Sequence, residues 1–333
     1  MHTTQRRSSR WMRLCLWAGA GMALGLHLAA GAQETSYPSK PITLVVPFAA
    51  GSGTDVIGRL IGDRLGKQLG QAVVIENKAG AGGTLGAGQV AVAAPDGYTA
   101  LVHSSGHVAA PALYPNLRYD TAKDFTPVAM LATLPNVLVV SPASGIKSVA
   151  DLVRRAKANP GKMSYGSAGN GSAAHINAEK FRIAAGMQGQ VVPYRGTMPA
   201  ITDLIGGQID WYFAPLVSAL PLIKDNRLVA LAVASPQRSS LLPDVPTTVE
   251  AGVPDSEYIF WVGLFVPFRT PPAVTARLAR EVGNVLQMPD IKTAFANLGA
   301  EVPTMSQPQF ADFVNKEIKT TGALIRKAGI KGD

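Results

Sequence analysis

The chain has 333 residues, 47% hydrophobic and only 16% charged, which is length enough for two compact domains of the usual roughly 100–200 residues. Its 34 glycines and 24 prolines are dispersed rather than massed in one tract, which excludes a low-complexity or disordered chain and predicts punctuated globular structure. The formal charge of +9 comes from 31 basic and 22 acidic residues scattered along the chain; without a basic stripe, no nucleic-acid partner is expected.

Residues 1–32 read as a signal peptide. Arg6, Arg7, Arg10 and Arg13 form a basic start, an apolar run covers 14–30, and Ala30-Gly31-Ala32 supplies a small-residue cleavage site. The run is shorter than the ~20 apolar residues of a spanning helix and contains His27, so an anchor is disfavoured. Arg6-Arg7 hints at twin-arginine export, and the Sec route stays open. Cleavage after Ala32 would leave 27 basic against 22 acidic residues, a net +5, and would remove Cys15, the only cysteine. A thiol-free chain suits the periplasm and excludes a cysteine nucleophile, a disulfide and a Cys-ligated zinc site.

Downstream, short β-branched runs recur at 42–46, 73–75, 99–102, 137–140, 191–192, 228–233 and 262–266, with helix-like stretches between them. That alternation predicts an α/β protein with parallel-rich sheets flanked by helices. Ile57, Leu60, Ile61 and Leu65 mark one amphipathic face; Val149, Leu152, Val153 and Ala156 mark another, opened by Ser148 and Asp151 at capping-box spacing. Late helices are expected near 273–286 and 309–326. Pro135-Asn136 and the apolar stretch 258–266 are the candidate crossings between two lobes. These would be 37–136 with 262–333, and 137–261.

Several strand-like runs end in a small-residue loop that leads into a helix, where free N–H groups and the helix dipole favour an anion. The first such loop is Phe48-Ala49-Ala50-Gly51-Ser52-Gly53-Thr54-Asp55, with Thr54 or Asp55 as its expected helix cap. The second is Ser164-Tyr165-Gly166-Ser167-Ala168-Gly169-Asn170-Gly171-Ser172. The third, Tyr194-Arg195-Gly196-Thr197, places a hydroxyl at a helix start. Ser104 and Ser105, after the run 99–102, are candidates for the same cleft. Each loop is equally readable alone as an ordinary tight connection; their recurrence favours a binding site. The Gly80 to Thr84 stretch lacks the Lys-Ser or Lys-Thr of a phosphate loop and reads as a turn before a helix.

Chemistry is poorly supported. His103 and His107 have the i, i+4 spacing of a metal pair, but no Glu follows His103, and no metal or cofactor is expected. No Gly-x-Ser-x-Gly elbow occurs. A secreted hydrolase using Ser104, Ser105 or Ser172 near His103, His107 or His175 remains an alternative without any supporting spacing, as does a ligand-sensing lobe for a signalling partner.

The ordered motifs resemble the Bug-type substrate-binding proteins of tripartite tricarboxylate transporters. They are Tyr37-Pro38-Ser39-Lys40-Pro41-Ile42, Val46-Pro47-Phe48-Ala49-Ala50-Gly51, Glu76-Asn77 with Gly80-Ala81-Gly82-Gly83, and Ala94-Pro95-Asp96-Gly97-Tyr98, followed by Ala112-Leu113-Tyr114-Pro115, Ser167 to Ser172, Pro193-Tyr194-Arg195-Gly196, Pro243-Asp244-Val245-Pro246-Thr247 and Glu250-Ala251-Gly252. The resemblance implies a two-lobed periplasmic-binding-protein (Venus-flytrap) fold with two crossover strands. It also implies a monomeric, non-enzymatic receptor that holds a di- or tricarboxylate or an aromatic carboxylate for membrane components of such a transporter. Carried over by position, the first-lobe contacts would come from Phe48, Ala49, Gly51, Ser52, Gly53, Thr54, Asp55, Ser104 and Ser105. The second-lobe contacts would come from Ala168, Gly169, Asn170, Gly171, Ser172 and Thr197. Two departures stand out: Gly51-Ser52-Gly53 where many members have Gly-Gly, and Ala214-Pro215 where some have an Asp after the expected strand 209–213. Lacking that carboxylate disfavours a ligand that carries an ammonium group.

Overall fold

In the first lobe, apolar strands alternate with capped helices. The computed structural model describes residues 37–330; the expected signal peptide lies outside the described residues. From Lys40 onward the chain forms one unit, in which β1 (Ile42–Val46), α1 (Gly53–Leu69), β2 (Val73–Asn77), α2 (Thr84–Ala91), β3 (Thr99–Ser104), α3 (Ala110–Leu113) and β4 (Phe125–Leu134) come first. The chain then builds β5 (Asn136–Val140), α4 (Val149–Ala158), β6 (Ser164–Ser167), α5 (Ala173–Ala184), β7 (Gln190–Pro193), α6 (Thr197–Ile205), β8 (Tyr212–Pro215), α7 (Leu216–Lys224) and β9 (Val229–Val233). It returns through β10 (Phe260–Pro267) to α8 (Pro272–Gln287), α9 (Pro289–Leu298) and α10 (Gln307–Ala328).

One sheet has the order β2-β1-β3-β10-β4, a second β8-β5-β9, and β6 pairs with β7. β1 runs parallel to β2 and β3, and β6 parallel to β7, whereas β10 is antiparallel to β3 and β4, and β5 to β8 and β9. The antiparallel pairings thus belong to the two strands that receive the chain after it passes from one sheet to the other. Gly166 N–H donates to the Trp211 carbonyl at 3.1 Å and ties the β6-β7 pair to β8.

The second sheet is covered on both faces. Leu138, Val140, Trp211 and Phe213 pack with Phe181 of α5, while the intervening Val137, Val139, Tyr212 and Ala214 pack with Ile201 and Leu204 of α6. This two-residue alternation into two cores explains why these strands read as unbroken apolar runs. In the first sheet, Val45, Leu101, Trp261 and Phe265 meet Phe310 and Val314 of α10.

Four expectations are corrected. Ser52 caps α1, its hydroxyl accepting Asp55 N–H at 3.3 Å, so neither Thr54 nor Asp55 is the cap. Ser164–Ser167 is a strand rather than loop, and Gly166 sits close under Ile209 and Tyr212, where a Cβ would lie 2.8 Å from Ile209 Cδ1 and 3.1 Å from Tyr212 Cδ2. β8 starts at Tyr212 and runs to Pro215, instead of spanning 209–213. His103 and Ser104 close β3, and a short 3-10 turn holds Ser105 to Val108, so His107 is not on a free polar loop. Ser148 does cap α4, accepting Asp151 N–H at 3.1 Å, while the Asp151 carboxylate receives Lys147 N–H.

Candidate functional site: four helix starts around one cavity

The first loop is shaped by a polar network beneath it. Asn77 Nδ2 donates to the Phe48 carbonyl at 2.9 Å and to Asp55 Oδ1 at 2.8 Å. Asp55 Oδ2 accepts Gly51 N–H at 2.9 Å and Arg59 Nε at 3.0 Å. Burial alone would raise the Asp55 pKa; the hydrogen bonds from Arg59, Asn77 and Gly51, together with the Arg59 charge, outweigh it and hold the carboxyl below its ordinary value. Asp55 is therefore ionised and fully engaged, and its carboxylate fixes the loop.

Four helices begin at one place. α1 starts behind Ser52, α5 behind Ser172, α6 behind Gly196 and α7 behind Pro215. Ser52, Gly53 and Thr54 from the first lobe, and Ser172, Ala173, Ala174, Thr197 and Pro215 from the second, line a cavity of about 20 Å³. Phe48, Ser104, Ala168 and Phe260 complete the wall, so every lining residue is uncharged. Each helix start carries about half a positive charge on its unpaired N–H groups, so the convergence favours a negative group without any cationic side chain. The Ser104 hydroxyl is 1% exposed and has no hydrogen-bond partner, a state that buried hydroxyls seldom tolerate unless something else supplies the bond.

The other residues expected at the site stand outside this lining, mostly where the lobes touch. A Cβ on Gly196 would lie 3.0 Å from Ala49 Cβ, and the Gly51 carbonyl accepts the Ser218 hydroxyl at 3.1 Å. Ser105 Oγ lies 3.0 Å from Tyr258 Oη. The Asn170 carbonyl accepts the Tyr114 hydroxyl, Gly169 lies against Gly82, and Gly171 N–H donates to His175 Nδ1 at 3.0 Å. Ala173, Ala174 and Phe260 are absent from the expected contacts, and Pro215 enters the expectations only as the place where related chains carry an Asp. Proline at a strand-to-helix junction was the available signal for Pro215; Phe260 reaches the cavity only through the topology.

No serine hydroxyl is set against an imidazole by these contacts. The Ser172 hydroxyl accepts the backbone N–H of His175 at 3.3 Å, and His103 Nδ1 donates to the Ser104 carbonyl at 3.1 Å. His103 and His107 lie with ring centroids 4.9 Å apart and their planes tilted by 33°, behind Phe48 and against Phe125 and Phe265. Burial pushes His103 down to about 3 against the opposing pull of the Ser104 and Gly83 backbone; burial, reinforced by His103, holds His107 well below its ordinary value.

Both histidines are thus neutral when folded and take up protons more readily when unfolded. Stability is expected to fall as pH drops through about 6.5, continuing toward about 3 for His103, at up to roughly 1.4 kcal/mol per pH unit for each histidine. His107→Phe, which removes two ring nitrogens without hydrogen-bond partners, should flatten that loss. Urea unfolding of both proteins at pH 7 and pH 5 checks this, and equal losses would refute it.

Two α/β lobes meeting across a small uncharged cavity at converging helix starts define a solute-binding protein. The match to known proteins is equally direct. Residues 57–330 match the model of the tripartite tricarboxylate transporter family receptor, and the chain belongs to that family. BugT of Bordetella pertussis is 35% identical over 306 residues, covering 91% of this chain and 94% of that one. MatC of Rhodopseudomonas palustris, solved with bound malate, is 36% identical with a TM-score of 0.83 over 87% of this chain and all of that one. Rpa4515 of R. palustris, solved with adipate, is 34% identical with a TM-score of 0.85 over 89% of this chain and 99% of that one.

Proposed function

We propose that this chain is a periplasmic receptor that captures a small dicarboxylate and hands it, unchanged, to the membrane components of a tripartite tricarboxylate transporter. The observation that carries this reading is the meeting of four helix starts on a cavity with no charged wall. The signal-peptide pattern of residues 1–32 and the periplasmic character of the related BugD support the location. That MatC was solved with malate and Rpa4515 with adipate supports the ligand class. In this reading the lobes are 37–136 with 262–333, and 137–261. Ser52, Gly53, Thr54 and Ser104 then hold the ligand from one side, and Ala168, Ser172 and Thr197 from the other.

The energies suffice. Four charge-assisted hydrogen bonds at roughly 1.5–3 kcal/mol each give about 6–12, against about 8 for micromolar binding. Ordering and lobe closure subtract from that sum, so affinity depends on closure as well as contacts. Thr197→Val with Ser172→Ala is expected to weaken succinate binding at least about tenfold in calorimetry, the equivalent of one such bond. Ser172 also caps α5, so thermal melts should show a separate loss of about 1 kcal/mol. Unchanged affinity in a folded double variant would count against this site, whereas a carboxylate seen by native mass spectrometry of the purified protein would identify the ligand.

A further inference from the structure

A second cavity, about 520 Å³, lies beside the strands that join the lobes. Its walls come from both lobes: residues 133–135, Ala296 and residues 299–301 on one side, residues 235–240 on the other, with Ile259 where the chain crosses back. The order of the first sheet gives its position. β1 and β3 carry Phe48 and Ser104 to the ligand cavity, and β10 comes next, with Phe260 on the same cavity. β4 follows; its Leu134 pairs with Phe260 but lines the second cavity, and beyond it Thr133 pairs with Glu301. Successive residues Ile259 and Phe260 therefore open onto different cavities, and the crossing strands stand between the two.

Rotation about strands placed between two openings narrows one as it widens the other. Both cavities are walled by the two lobes, about 20 Å³ on the ligand side and about 520 Å³ on the hinge side, so the same rotation acts on both. We propose that the hinge cavity sets the balance between open and closed lobes, so that the side chains lining it, Ala296 and Ser240 above all, govern affinity without touching the ligand. A bulky group there blocks the collapse of the hinge cavity that opening demands, and holds the lobes closed. The affinity consequence rests on the receptor reading; the shift in lobe separation does not.

Ala296 and Ser240 are both exposed and lie on opposite walls, so Ala296→Trp and Ser240→Trp each fill the space without entering a core. In the mature chain, which the expected cleavage leaves without cysteine, spin labels at Leu85→Cys and Thr202→Cys, exposed positions on the two lobes, report their separation by double electron–electron resonance. Both tryptophan variants are expected to shift the ligand-free protein toward the shorter separation. Both should also bind succinate about tenfold more tightly, the gain open to a closed state populated at roughly one part in ten. Asn297→Trp, exposed on the same helix but outside the cavity, should change neither. An unchanged or longer separation in the two variants overturns the proposal. A shorter separation with no succinate binding sustains it and removes the receptor reading instead.

Discussion

Replacing Pro215 by Asp is expected to weaken binding of a plain dicarboxylate by about a thousandfold. Pro215 lines the proposed ligand cavity at the start of α7, and a Cβ on Gly53 would lie 2.9 Å from its Cβ, so the new carboxylate would sit at the first turn of α1. Two like charges at roughly 4 Å and an effective dielectric near 20 repel by about 4 kcal/mol, or about three decades of affinity. The new group would also take N–H groups that the ligand needs. Asp is a favoured helix cap, so α7 should survive the change. An ammonium-bearing ligand would find a partner there, so aspartate should lose less than succinate, while the natural protein should prefer succinate. Thermal-shift titration and calorimetry with the matched pair decide this: unchanged succinate affinity in the variant, or a preference for aspartate in the natural protein, refutes it.

Gly82→Ala should weaken binding as well, through geometry alone. Gly82 adopts φ +61°, and a Cβ on it would lie 1.8 Å from the Asn170 carbonyl oxygen on the opposing lobe. The left-handed backbone costs an alanine about 1–2 kcal/mol in either lobe arrangement, which thermal melts will register. The clash arises only on closure, and it should lower succinate affinity by about thirtyfold or more, roughly 2 kcal/mol. Gly169→Ala on the facing lip, whose Cβ would lie 3.0 Å from Gly82 N, should act in the same direction. Natural affinity in a folded Gly82→Ala protein would show that the lips need not meet.

The parts of the site readable from sequence are those built by local chemistry. Ser52, Ser172 and Thr197 stand in loops of small residues just ahead of an apolar helical face, and all three line the cavity. Pro215 is marked in the sequence only as the place where related chains carry an Asp, because the strand before it, expected to end at Phe213, runs two residues further. Phe260 comes to the wall through a pairing with Leu134 across 126 positions of chain, which no local pattern records. β4 went unread because Pro127 interrupts it; the proline is tolerated since β4 is an edge strand and its pairing with β10 is irregular there. β6 hid behind the turn-like Ser-Tyr-Gly-Ser. The antiparallel sense of β5 and β10 follows from how the chain passes between sheets, so alternation of strands and helices predicted parallel neighbours only.

The chamber between the lobes has room for about one water molecule, so a four-carbon acid fits there only when the rims stand further apart. On the receptor reading, release would then be timed by the hinge, on the microsecond-to-millisecond scale of domain motion. A membrane partner of such a receptor would then need only to prise the rims apart to unload it.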